Sequence, residues 1–142
     1  MPTGKHGSSE ITITYDDAPG GTGRAVTNFI LTMGAAKITA EMQASEAFGD
    51  IWAEFTPTGR KKMDAITLAG LWDDTATTGP HVVFIEVDDS PADDTRTLVI
   101  VFGNSKTLTV ETRLFSYAVM GKNGQLTDFE AGIQPTGAAV WS

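Results

Sequence analysis

The sequence predicts a mainly β protein: an antiparallel sandwich or barrel of about eight strands with one flanking α-helix. Three observations carry that reading. Apolar and polar residues alternate in segment after segment, as in Glu10–Tyr15, where Ile11, Ile13 and Tyr15 oppose Glu10, Thr12 and Thr14. Turn signals separate these segments, the strongest being Lys122-Asn123-Gly124. A single phrase breaks the pattern: Phe48, Ile51, Trp52 and Phe55 fall at i, i+3, i+4 and i+7.

Taken in order, residues 1–9 read as a flexible polar arm without the apolar stretch of a signal peptide. After the strand at Glu10–Tyr15, Asp16–Ala25 is a glycine-rich loop. Val26–Met33 is apolar on both faces and reads as a central strand. Lys37–Gln43 alternates again. Ala47–Phe55 is the expected helix, stopped by Thr56-Pro57-Thr58-Gly59 and docked on the sandwich through Phe48, Ile51, Trp52 and Phe55. Lys62–Trp72 is a strand, and Asp73–Pro80 a polar loop. Val82–Val87 and Thr97–Phe102 are short strands, with room for one helical turn at Ser90-Pro91-Ala92-Asp93. Lys106–Val119 is the longest strand; its pattern inverts near Leu114-Phe115, which predicts a bulge or bend. Gln125–Gln134 closes the sheet. No repeat or long linker divides the chain, so 1–142 reads as one domain.

Composition narrows the function. The chain has 142 residues, 41% of them hydrophobic, and a net charge of −8 from 18 acidic and 10 basic residues. That balance opposes a grip on phosphate backbone, which needs clustered Lys and Arg. The one basic cluster, Arg60-Lys61-Lys62, is too small for a nucleic-acid surface and reads as a solvated turn or an inter-subunit ion pair. With no cysteine, thiolate catalysis, disulfides and Cys-ligated metals are excluded. No apolar run approaches the ~20 residues of a membrane-spanning helix.

Nor is there a catalytic or metal-binding set. His6 and His81 have no companion at ligand spacing. Gly20-Gly21-Thr22-Gly23-Arg24 lacks the Gly-Lys-Ser/Thr ending of a phosphate loop, and no helix follows it. The pairs Asp16-Asp17, Asp73-Asp74, Asp88-Asp89 and Asp93-Asp94 match no calcium loop and suit turns at strand ends. Trp52 and Trp72 read as core or interface aromatics, and Trp141 as more exposed. No enzyme activity, cofactor or metal is expected.

Two stretches together resemble the tail tube proteins of long-tailed, siphophage-type bacteriophages. One is Ala47-Phe48-Gly49-Asp50-Ile51-Trp52-Ala53-Glu54-Phe55-Thr56-Pro57-Thr58-Gly59, continuing through Ile66-Thr67-Leu68-Ala69-Gly70-Leu71-Trp72-Asp73-Asp74-Thr75 to Gly79-Pro80. The other is Leu126-Thr127-Asp128-Phe129-Glu130-Ala131, then Gln134-Pro135-Thr136-Gly137-Ala138. The likeness runs from about Val26 onward. It implies a structural virion protein whose copies form hexameric rings stacked into the tail tube, the channel for DNA ejection. It implies other tail proteins, such as the tape measure and the tail terminator, as partners. Duplex DNA would pass without tight binding, and no membrane is involved. The protein would be made in the host cytoplasm and end in the virion tail. A stand-alone Ig-like or lectin-like binding module would show the same strands and remains the alternative.

Under the tube reading, two polar strand faces are candidates for the lumen: Lys37, Thr39, Glu41 and Gln43, and Thr107, Thr109, Glu111 and Arg113. Alternation assigns a face but no direction, so plain outer surface stays equally open. Asp128 and Glu130 are the next lumen candidates. Candidate inter-subunit loops carry Asp16, Gly20, Gly21 and Arg24, and Asp73, Asp74, Thr75 and Gly79. These loops are expected to order only against partners.

Overall fold

The computed structural model describes residues 7–87 and 94–142. Its elements are β1 (Thr12–Asp16), β2 (Gly23–Ala25), β3 (Ile30–Met33), β4 (Ile38–Ala44), β5 (Phe55–Met63), β6 (Ile66–Leu71), α1 (Pro80–Phe84), β7 (Arg96–Gly103), β8 (Lys106–Met120), β9 (Asp128–Pro135) and β10 (Val140–Trp141). The main sheet has the order β2-β1-β7-β8-β9-β6-β3, with β10 beside β8, and every pairing is antiparallel.

Its two edge strands, β2 and β3, are neighbours in sequence. Only Val26–Phe29 separates them, so the sheet must curl until its edges lie close. The join is hydrogen-bonded: the Val26 amide donates to the Ile13 carbonyl at 3.0 Å, and the Ile13 amide donates to the Thr27 hydroxyl at 2.9 Å. Val26 itself is buried. The expected central strand at 26–33 is therefore a helical turn followed by an edge strand, because Val26 turns inward to plug the seam.

One face of the rolled sheet forms the core. Ile13 and Tyr15, Leu98 and Ile100, Leu108, Val110 and Leu114, Phe129 and Ile133, Ile66 and Leu68 are all buried. The opposite face of β1, β7 and β8 is rich in threonine: Thr12, Thr14, Thr97, Thr107 and Thr109. The expected bulge in β8 is present. The register slips between Leu114 and Ser116, and the inward phase shifts from even to odd positions, so Tyr117 lies opposite Ala131. The turn at Asn123-Gly124 joins β8 to β9 as expected, closed by the Gln125 amide on the Lys122 carbonyl at 3.0 Å.

The segment read as a strand at Val82–Val87 is not one. Pro80 starts α1, which drops Val83 and Phe84 into the core. Phe84 stacks between Tyr15 and Phe129, with centroid distances of 5.4 and 5.7 Å. Buried Arg96 caps the far end of this turn, its guanidinium donating to the carbonyls of Val83 at 3.0 Å and Glu86 at 2.5 Å. The β-branched run suited a strand, but the open end of the rolled sheet needed a plug. His81, read as plain surface, is half-buried. Its Nδ1 lies 3.0 Å from the Tyr117 hydroxyl, and its ring packs against Trp72. Burial raises the Tyr117 pKa, with the Trp72 indole opposing it. His6 and the expected turn at Ser90–Asp93 lie outside the described residues.

Candidate assembly surface

The feature that composition left hidden is a two-stranded arm. β4 and β5 pair only with each other among the described residues, as a sheet separate from the rolled one. The ladder runs from Ile38↔Met63 at the base to Ala44↔Phe55 near the tip. Beyond it, the Ser45 amide donates to the Glu54 carbonyl at 2.9 Å. Midway, Ala40 pairs with Lys61 and Met42 with Pro57, so Thr58, Gly59 and Arg60 face the lone Glu41. Pro57 fits there because β5 has an open edge and needs no amide at that position.

The expected helix at Ala47–Phe55 does not form; the segment is the tip of this arm. Gly49 has φ +92°, outside any right-handed helix, and the Asp50 amide closes a turn on the Ala47 carbonyl at 3.1 Å. So short a helix needs a surface to pack on. None is within reach: Phe48, Ile51, Trp52 and Phe55 are exposed, Trp52 at 83% and Phe48 fully. The helical spacing was real, but these side chains do not dock on the sheet. The residues that seemed to stop a helix, Thr56–Gly59, belong to β5.

Directly paired residues point to the same side of a ladder. One side of the arm therefore carries Thr39, Glu41, Gln43, Thr56 and Lys62. The other carries Ile38, Ala40, Met42, Ala44, Phe55, Pro57 and Met63, with Lys61 opposite Ala40 its one charge. On the apolar side Ile38, Met42 and Phe55 are exposed. An isolated ribbon is marginal in water, and an uncovered apolar face on it marks an interaction surface. The β4 half of this face was visible in sequence as Ile38, Ala40 and Met42. The β5 half was masked by the proline, the glycine and the bulge.

The two candidate lumen rows lie on different sheets. Thr39, Glu41 and Gln43 line the polar side of the arm, with Lys37 just before β4. Thr107, Thr109, Glu111 and Arg113 lie on the solvent face of β8. Glu111 accepts the hydroxyls of Thr95 at 2.9 Å and Thr97 at 2.8 Å. Arg113 pairs with Gln134, whose amide donates to the Met63 carbonyl at 3.4 Å, so the β8 row ends at the base of the arm. Asp128 and Glu130 are exposed at the opposite end of β9.

The candidate loops are tied down within the subunit. Asp16 is buried and accepts the Thr97 amide at 2.9 Å. Asp17 accepts the Thr22 amide and the Arg24 guanidinium, both at 3.1 Å. Partial burial raises the Asp17 pKa, but these two hydrogen bonds and the Arg24 charge outweigh it and hold it below the ordinary value. A carboxylate at its centre makes this loop the reverse of a phosphate cradle. The Gly20 amide reaches the Thr95 carbonyl at 3.2 Å, and the Gly21 amide the Ala18 carbonyl at 2.8 Å. Asp73 accepts the hydroxyl and the amide of Thr75, which lower its pKa, while Asp74 next to it is exposed. Gly79 donates to the Thr75 carbonyl at 2.9 Å. The long reach belongs to the arm, not to these loops. Asp88, Asp89 and Asp93 lie outside the described residues. No cluster of three metal-ligating side chains occurs among the described residues.

No family model and no curated protein sequence matches the chain. Solved structures do. A chain from the tail of an empty gene transfer agent (GTA) particle, refined with helical C6 symmetry, superposes with a TM-score of 0.71 at 12% identity, over 97% of this chain and 99% of that one. A chain of an extracellular contractile injection system (PVC), sheath/tube terminator in the extended state, gives 0.72 at 9% identity over 100% and 99%. One from the six-fold symmetrised baseplate of the anti-feeding prophage gives 0.70 at 9% over 100% and 97%. End to end, this chain has the fold of chains found in the tails and tubes of phage-like particles.

Proposed function

We propose that this protein is a tail tube subunit. Copies pack side by side into hexameric rings, and the rings stack into the hollow tube of a virion tail. Its role is structural, not enzymatic. Duplex DNA passes along the tube without tight binding, and a tape measure protein and a tail terminator complete the assembly. The subunit is made in the host cytoplasm as a single domain, 1–142, and ends in the virion tail.

The observation that carries the reading is the arm, Ile38–Met63, with one polar side and one open apolar side. A monomer leaves that apolar side in water. Laying it on a neighbouring subunit covers it and turns the polar side, Thr39, Glu41 and Gln43, to a water-filled channel. The rolled sheet is filled by its own side chains, so a channel wide enough for DNA requires several copies. The six-fold symmetry of the tail and baseplate neighbours supports six. The acidic balance fits a wall that guides DNA without holding it, with Glu41 and Glu111 offsetting Lys37 and Arg113.

Electron microscopy of the purified protein, with light scattering across concentration and salt, tests this. Rings or tubes with a central channel are expected. Particles that stay at 15.1 kDa in every condition would instead favour a stand-alone binding module.

A further inference from the structure

The arm carries opposite charge at its two ends. From Ala44 to Gly59 there is no Lys or Arg, and the tip holds Glu46, Asp50 and Glu54 around exposed Phe48, Ile51 and Trp52. Between the middle of the arm and its base runs Arg60-Lys61-Lys62, the only basic cluster of the chain. Beside it opens a groove of about 1000 Å³ in the crook between the arm and the C-terminal segment, lined by Lys61, Lys62, Ala65, Pro135, Ala138 and Trp141 among others, with Asp64 its one acid. A groove of that volume can take several apolar side chains.

We propose that the arm tip of one subunit seats in the arm-base groove of a second copy. Phe48, Ile51 and Trp52 enter the groove, and Glu46, Asp50 and Glu54 meet Arg60, Lys61 and Lys62. Charge complementarity selects a second copy of this chain as the occupant. The tip cannot fill its own groove: Ala44 is six residue steps from Ile38, and at ~3.3 Å per step the ladder holds the two ends roughly 20 Å apart. Tip and groove are different patches, so the contact is heterologous and propagates into closed rings or open stacks. The inference deepens the tube reading and rests on it.

The absence of cysteine makes a clean test. Ala53→Cys at the tip and Ala138→Cys at the groove are made as separate single variants. Mixed and mildly oxidised, they should give a disulfide-linked pair in higher yield than either alone. Charge reversal is the second arm. Glu46→Lys/Asp50→Lys/Glu54→Lys and Arg60→Glu/Lys61→Glu/Lys62→Glu should each raise the concentration needed for assembly on the order of a hundredfold, since facing like charges repel. Both sets in one chain should restore assembly. Circular dichroism and melting of the free subunits check that the variants fold. If the parent assembles while both reversal variants assemble equally well and no mixed cross-link forms, the docking is wrong and the tube reading stands. A combined chain no better than the single sets also overturns the docking. A parent that never assembles removes both.

Discussion

Trp52 and Phe84 are both large aromatics in segments whose sequence misled, and the structure gives them opposite roles. Trp52→Ala removes a ring that is 83% exposed and touches no core. Its effect on the stability of the free subunit should stay within about 0.5 kcal/mol, as for other surface changes. Phe84→Ala empties a site with no exposure, between Tyr15 at 5.4 Å and Phe129 at 5.7 Å. Cavity and transfer terms for a buried Phe come to about 3–5 kcal/mol. Against a typical stability of about 5–15 kcal/mol that is a large fraction. At roughly 3–4 °C per kcal/mol for a chain of this size, melting should fall by about 10–20 °C. Assembly should rank the two in reverse. If Trp52 anchors an interface, its loss costs roughly 2 kcal/mol, about thirtyfold in the concentration needed to assemble. The assay is urea unfolding of subunits held below their assembly concentration, followed by light scattering above it. A Trp52→Ala subunit destabilised by more than about 2 kcal/mol would refute the reasoning, because only a ring buried in the subunit can cost that much.

Three further outcomes follow from the same geometry. Gly70 packs under β3, and a Cβ there would run into the Phe29 carbonyl, so Gly70→Ala should destabilise by about 1–3 kcal/mol in urea unfolding. Asp17 has a lowered pKa in the folded subunit, so its contribution is present above the ordinary carboxylate value of about 4 and lost as pH falls through the lower folded value. Parent and Asp17→Asn should accordingly differ by about 0.2–1 kcal/mol at neutral pH and converge in acid, read from melting against pH. Glu41→Lys with Glu111→Lys should leave folding intact and make assembled tubes bind duplex DNA at low salt by co-sedimentation; tubes that bind no more than the parent would place both residues off the channel.

Strand alternation, the Asn123-Gly124 turn and the phase inversion in β8 were legible because each rests on contacts between near neighbours in the ladder. So was the lack of a cysteine, which composition alone decides. The arm was not. Phe48, Ile51, Trp52 and Phe55 have helical spacing, but spacing reports a periodicity and not whether a surface exists to bury it. The core of the rolled sheet is closed by its own α1 and Val26, Phe48, Ile51, Trp52 and Phe55 stay exposed on the arm, and a glycine at φ +92° turns the chain into a hairpin tip. Val82–Val87 failed for the mirror reason: its β-branched run suited a strand, yet the open end of the sheet took Val83 and Phe84 as a plug. Which polar row faces a channel is likewise beyond local pattern. Under the proposed tube reading it depends on which side of β4 and β5 a second subunit would cover, and only the tertiary structure shows the Ile38, Met42 and Phe55 side bare.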